Sequence, residues 1–399
     1  MGYIFQNSNY NRIILKSRST KHYLNGKDTQ EVDRQFNSPL LLSAVSALFS
    51  MGFFALTFSF PLYADHLHYS SGFIGFLGIF VGIPFIVFAY LLLKKTSKQL
   101  LAALRLSIIL MVPVSLLFLL VSEYLFVLLV VSADVLGALF YVSVELGIGS
   151  TDADNLAERY STAWGIPNLV APLIAGLILQ LSGFVPLFAV TIIFFAATVA
   201  FLPIGGIGAR NPEIRRKSGI SLTIVLPMLF GGLSPGFLFY VIVPYLRVLQ
   251  TPYLIIGVIG SIPAFFSAVS FIVLSRVKSE EWHKFSIISA LLLGVPILVF
   301  AFHSVVMIAV LFAFAGIGAA VAFSKILSYI SRSSSSSFGV LYYESLFGIG
   351  FIAGSISGGY IFEYFGYLSA LIIFSPALIY VVAMISIVKS GRGRLLGIS

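Results

Sequence analysis

The sequence predicts an all-α membrane protein whose twelve transmembrane helices form two pseudo-symmetric six-helix bundles. Three observations carry that expectation. The chain is 59% hydrophobic with a mean hydropathy of +1.03, and only 10% of its residues are charged, against about 25% in ordinary soluble domains. Twelve apolar runs are long enough to cross about 30 Å of hydrocarbon, which takes about 20 helical residues each. An internal repeat relates the first six runs to the last six.

Each run is delimited by charge clusters or turn residues. The first, 39–63, follows a polar, basic tail (1–37) that has no apolar leader of the kind a cleavable signal requires. The break Asp65-His66-Leu67-His68 precedes the second, 71–93, and Lys94, Lys95 and Lys98 separate it from the third, 100–120. Glu123 opens the fourth, 123–147, and an acidic stretch ending in Glu158-Arg159 leads into the fifth, 160–181. Gly183 marks a tight turn to the sixth, 184–205. After the central stretch 206–219 come 220–245, 253–275, 286–303, 305–327, 338–362 and 367–388, with short turns at His303 and Gly366 and a basic tail, 389–399.

The distribution of bases tests that count independently, because Lys and Arg are retained on the cytoplasmic side of membrane proteins. With both termini inside, all but one of the 24 Lys and Arg residues fall in inner segments, Arg247 being the exception. The net charge of +9 therefore matches an anionic inner leaflet rather than nucleic acid, for which no basic and aromatic patch in a soluble module exists. The expected setting is the plasma membrane, multi-pass, with both ends cytoplasmic and the lipid bilayer as solvent. The chain has no cysteine, which excludes disulfides and thiolate metal sites.

Sliding the chain by 183 positions superposes Gly165 on Gly348, Gly176 on Gly359, Gly183 on Gly366, Gln180 on Glu363 and Pro61 on Pro244. One position less brings Gly75 and Gly78 onto Gly257 and Gly260, and Lys94 onto Arg276. The expected organisation is a six-helix unit at 38–205, a cytoplasmic loop at 206–219 and a second unit at 220–388. Parallel six-helix repeats are a standard transporter plan, with the binding site between the halves near mid-membrane.

With these features the chain resembles the major facilitator superfamily over about residues 38–388. Its fifth run carries Ala171-Pro172-Leu173-Ile174-Ala175-Gly176, which resembles the G-P-x-x-G-G core of the family's antiporters with two glycines replaced by alanine. The family's G-x-x-x-D-R-x-G-R-K loop after helix 2 is reduced here to the bases of Ala89–Lys98, and Ala133 stands where the fourth helix of the antiporters has arginine. The resemblance implies a secondary transporter that rocks two halves about a central site.

Acids inside apolar runs are the default functional candidates, because burial in hydrocarbon costs an ionised carboxylate about 2.5–3.5 kcal/mol on insertion scales. They are Asp134 and Glu145 in the fourth run and Glu344 in the eleventh. Eleven residues is close to three whole turns, so Asp134 and Glu145 share a helix face, and Tyr141 falls on it too. The resemblance implies that this face looks onto substrate and water, where a carboxyl group changes protonation with hydration. The alternatives are a structural acid at Asp134, a gate ion pair from Glu145 to Arg159 or Lys94, and a Glu344 that either meets a cation with Tyr342 and Tyr343 or snorkels to the surface.

In the fifth run, Gly165 and Gly176 are expected to admit a neighbouring backbone, while Pro167 and Pro172 bend the helix and free carbonyls that Asn168, packed neighbours or water satisfy. A gate between the halves and a static packing face both fit that composition. No Lys or Arg is expected at mid-depth, and 38 Phe and 19 Tyr favour an apolar neutral or cationic solute over an anion or sugar. No GxxxxGK[ST], HExxH or GxSxG stretch points to ATP use or hydrolysis. The expectation is a monomeric, non-enzymatic protein without metal or cofactor that exchanges protons for a small amphiphilic or drug-like solute. A metabolite uniporter or symporter, and a non-transporting receptor-like or scaffold protein, are the alternatives.

Overall fold

A computed structural model of the chain describes residues 39–149, 156–202, 222–274, 282–296, 298, 304–326, 336–366 and 368–389, and every regular element among them is helical. The first half holds α1 (Pro39–His66), α2 in two pieces (Ser71–Leu77 and Ile79–Leu92), α3 (Ser97–Leu117), α4 (Glu123–Gly149), α5 (Leu156–Ser182) and α6 (Phe184–Ala200). In the second, α7 runs from Leu222–Phe237 through a π-helical turn, Leu238–Ile242, into Val243–Val248. It is followed by α8 (Tyr253–Leu274), α9 (Trp282–Gly294), α10 (Val305–Val321, with a π turn at Ala322–Ile326), α11 (Ser336–Phe365) and α12 (Leu368–Lys389). Among the described residues ten spans reach membrane-crossing length, and α6 and α9 contribute shorter apolar helices. The tail 1–37, the loop 206–219 and the tail beyond Lys389 lie outside the described residues.

The starts and stops have local causes. A capping box opens α3: Gln99 N–H donates to Thr96 Oγ1 at 3.4 Å, and Thr96 N–H donates to Gln99 Oε1 at 3.1 Å. Helix α6 ends at Ala200, short of the expected 205, because Pro203 biases the residue before it away from helical geometry. The α-helical part of α9 ends at Gly294, giving way to a 3-10 turn at Pro296, and the end of the expected span, 303, lies outside the described residues.

The repeat is written into the backbone. The described residues with positive φ are His68 (62°), Gln250 (56°), Gly183 (83°) and Gly366 (53°). They form two pairs at the sequence offsets found above, one in the turns after α1 and α7, the other in the turns after α5 and α11. Glycine takes this left-handed geometry without steric cost, which makes the one-residue turn at Gly183 and the short turn at Gly366 possible.

Lipid-like solvent explains the burial pattern. Large apolar side chains such as Leu128, Ile193 and Ile379 stay exposed on the outside, whereas the interior stacks aromatic rings, with Phe49 and Phe140 at 3.8 Å between centroids. The halves meet along two seams, α5 against α8 and α2 against α11. Since each half has six spans, the chain enters α1 and leaves α12 at one end of the bundle, here called the terminal end; α2, α8 and the last turns of α5 and α11 meet at the opposite end.

Candidate functional site

At the opposite end, both seams bring glycine against glycine. A Cβ added to Gly176 would sit 2.9 Å from the Cα of Gly257 and 2.6 Å from the carbonyl oxygen of Tyr253; one added to Gly359 would sit 2.9 Å from the Cα of Gly75. Backbone thus faces backbone with no room for a methyl group. Beyond each contact, a side chain from one half caps a helix of the other. Gln180 Oε1 in α5 accepts from Tyr253 N–H at the start of α8, and Glu363 Oε2 in α11 accepts from Gly72 N–H at the start of α2, both at 2.9 Å. The first N–H groups of a helix have no partner within it, so these bonds satisfy donors that Pro252, which has no side-chain oxygen, cannot serve in α8. Arg247 adds a cation–π contact to Tyr253, with Cζ 4.0 Å from the ring centroid.

Asp134 lies between the halves in α4. It is 0% exposed, and neither carboxyl oxygen has a hydrogen-bond partner. Within its electrostatic reach is Tyr240 of α7, itself buried with an unpartnered hydroxyl and edge-on to Phe351 of α11 at 5.8 Å. Tyr240 sits in the π turn. Pro244 has no N–H for the Tyr240 carbonyl, and Val243 N–H donates instead to Leu238, one residue further back than in an α-helix. In this conformation Asp134 is packed on all sides. Tyr240 was missed, and its proximity to a proline four residues on was the available signal.

Tyr141 shares the buried interior, and its hydroxyl donates to Ser50 Oγ at 2.9 Å, tying α4 to α1. Nearer the terminal end Glu145 lies in the interior between the halves. Glu145 lies within electrostatic reach of Glu344 of α11, so two acids approach each other across the halves. Tyr160 of α5 and Tyr343 of α11 flank the pair, and one Glu145 oxygen and the Tyr160 hydroxyl have no hydrogen-bond partner. Glu344 is 4% exposed, so it does not snorkel to the surface. The Arg159 side chain lies outside the described residues, and Lys94 is exposed.

Helix α5 continues through both prolines, with Pro167 and Pro172 buried and Asn168 half-buried. The small residues divide: Ala171, Ala175 and Gly176 are packed, but an added Cβ at Gly165 would meet nothing within 4 Å, so the close approach expected there is absent. The sequence expectation of close backbone approach is thus met at Gly176 alone of the two glycines.

No model of a known protein family matches the sequence, and no curated protein does. Solved structures do. A bacterial homolog of the human lysosomal transporter Spinster, in an inward-facing and occupied conformation, superposes with a TM-score of 0.62 at 14% identity, covering 87% of this chain and 94% of that one. A POT family transporter in complex with 5-aminolevulinic acid gives 0.67 at 10% identity over 88% and 95%. The nucleoside transporter NupG gives 0.62 at 15% identity over 87% and 99%. At such identities the likeness concerns the fold, which is the twelve-helix transporter fold of the major facilitator type.

Proposed function

With the major facilitator fold as premise, we propose that this chain is a secondary active transporter of a small amphiphilic or drug-like solute, working by alternating access as a proton-coupled antiporter. It acts as a monomer in the plasma membrane with both termini cytoplasmic, which makes the terminal end the inner one. The observation that carries the reading is Asp134, fully buried and unpartnered at the boundary between two halves whose seams are closed at the opposite end. A packed acid without partners is costly to retain in hydrocarbon, and such residues persist where they bind a cation or a proton during a cycle. When the halves part, Asp134 and Tyr240 become the polar groups of a chamber otherwise lined by aromatic and aliphatic side chains. That chemistry suits an apolar body carrying a positive charge.

Purified protein in proteoliposomes tests this. An imposed pH gradient drives solute movement in the native protein, and Asp134→Asn abolishes the coupled movement while the protein still inserts. Full coupled transport by that variant overturns the assignment. Including a peptide and a nucleoside beside lipophilic cations separates antiport of an amphiphile from the metabolite reading, since the solved neighbours are a POT family and a nucleoside transporter.

A further inference from the structure

Toward the terminal end the α2–α11 seam changes character. Near mid-helix the two backbones still touch: a Cβ added to Gly82 would sit 2.7 Å from the carbonyl oxygen of Gly348, and one added to Gly348 would sit 2.9 Å from Ile86 Cγ1. Beyond that level the facing residues carry side chains, and the helices part around a groove of about 450 Å³ lined by Ile86, Tyr90, Leu341, Tyr342, Ser345 and Leu346. Tyr90 and Tyr342 are 71% and 39% exposed, so their rings stand at the rim instead of filling the space. Glu344 is buried and lines no part of it. At the mouth the chemistry turns basic. Leu93 keeps helical dihedrals, φ −51° and ψ −36°, so Lys94 falls one turn beyond Tyr90 on the same face. Lys95 follows it and Lys98 stands in the first turn of α3. All three are exposed, and among the described residues no carboxylate pairs with them.

We propose that this groove binds one anionic phospholipid from the leaflet at the terminal end, its acyl chain along Ile86, Leu341 and Leu346 and its phosphate against Lys94 and Lys95. A wall of Ile and Leu offers an acyl chain much the same surroundings as the bilayer, so the chain alone selects no particular lipid. The headgroup selects. A phosphodiester stays negative at neutral pH, and basic pockets between membrane helices bind such groups. The Ser345 and Tyr90 hydroxyls, on opposite walls, are the donors available to the ester carbonyls between chain and head. Because α2 belongs to the first half and α11 to the second, the lipid lies across their boundary. It therefore stabilises the conformation that keeps the groove at this width. The proposal requires the membrane setting alone and holds whether or not the chain moves protons.

The chain contains no cysteine, so Ser345→Cys supplies the sole thiol. The variant is reconstituted, without solute or pH gradient, in liposomes of phosphatidylcholine or of an equal mixture of phosphatidylcholine and phosphatidylglycerol with the same acyl chains. A neutral, membrane-permeant maleimide should react several-fold more slowly in the mixture. Leu106→Cys, on the exposed face of α3 at the same end, should react alike in both. Adding Lys94→Gln/Lys95→Gln to Ser345→Cys should erase the difference between the two bilayers. Native mass spectrometry of the full chain should show one phosphatidylglycerol retained, with affinity falling about five-fold for each lysine lost. Equal labelling of Ser345→Cys in the two bilayers, or protection that survives the loss of both lysines, overturns the proposal. Protection by a lipophilic cation but not by phosphatidylglycerol gives the groove to the solute and likewise overturns it. Failure of these measurements leaves the Asp134 assignment standing, and loss of that assignment leaves the lipid site standing.

Discussion

Glu363 reaches across the boundary between the halves to accept a hydrogen bond from the backbone N–H of Gly72 at 2.9 Å, and Gln180, its counterpart in the repeat, does the same for Tyr253. A helix start that borrows an acceptor from the other half ties helix integrity to closure. Opening this end strips α2 and α8 of those partners, and water must replace them.

Removing one cap therefore favours the open form. Loss of a side-chain cap costs about 0.5–2 kcal/mol, and 1 kcal/mol is about a five-fold change in a two-state population. Ser355, 0% exposed in the α2–α11 seam, is the reporter position when replaced by cysteine. Glu363→Ala should raise its thiol labelling rate several-fold, whereas Glu363→Gln, which keeps a carbonyl acceptor, stays near native.

The glycines of the seams predict opposite signs for one kind of substitution. Glycine to alanine in a helix normally stabilises by about 0.5–1 kcal/mol. At Gly257 the new Cβ would lie 3.0 Å from the Cα of Gly176 with backbone on the other side, which cannot yield, so Gly257→Ala should open the seam and raise labelling at Ser355→Cys. Gly165→Ala meets nothing within 4 Å and should leave the melting temperature unchanged or slightly raised.

Asp134→Asn should separate function from folding. The native carboxyl group makes no hydrogen bond, so an isosteric amide removes none. Thermal stability in detergent should stay within a few tenths of a kcal/mol, roughly the scatter of neutral substitutions. A large loss would mean that Asp134 holds the fold together.

Pro244→Ala restores an N–H for the Tyr240 carbonyl, and the π turn should then relax to an α-helical register. That rotates Tyr240 by about 100° and withdraws its hydroxyl from Asp134. Stability should rise while coupled transport falls, measured by melting and by liposome flux. Unchanged flux would remove Tyr240 from the site.

Much of this was legible in the sequence, for identifiable reasons. Hydrocarbon demands long apolar helices, so the class follows from composition and the spans from where the apolar runs fall. The offset that aligned Gly176 with Gly359 and Gly75 with Gly257 turned out to mark the two seams, because backbone contact tolerates no side chain at either place. Even Gln180 and Glu363 aligned, although their capping roles required knowing which helix starts lay opposite. The π turn was not legible: Pro61, the repeat mate of Pro244, sits in an uninterrupted α-helix, so proline permits the shift without dictating it.

By itself, the sequence determined that twelve oily helices form two related sets and that three acids lie within them, since solvent quality and local chain chemistry act residue by residue. Only the tertiary structure decided what each acid faces. Asp134 is buried within electrostatic reach of Tyr240, and Glu145 of α4 comes within reach of Glu344 of α11. The physical reason is that a partner is chosen by packing between helices distant along the chain, and nothing in a helix's own sequence states which neighbour will press against its polar face.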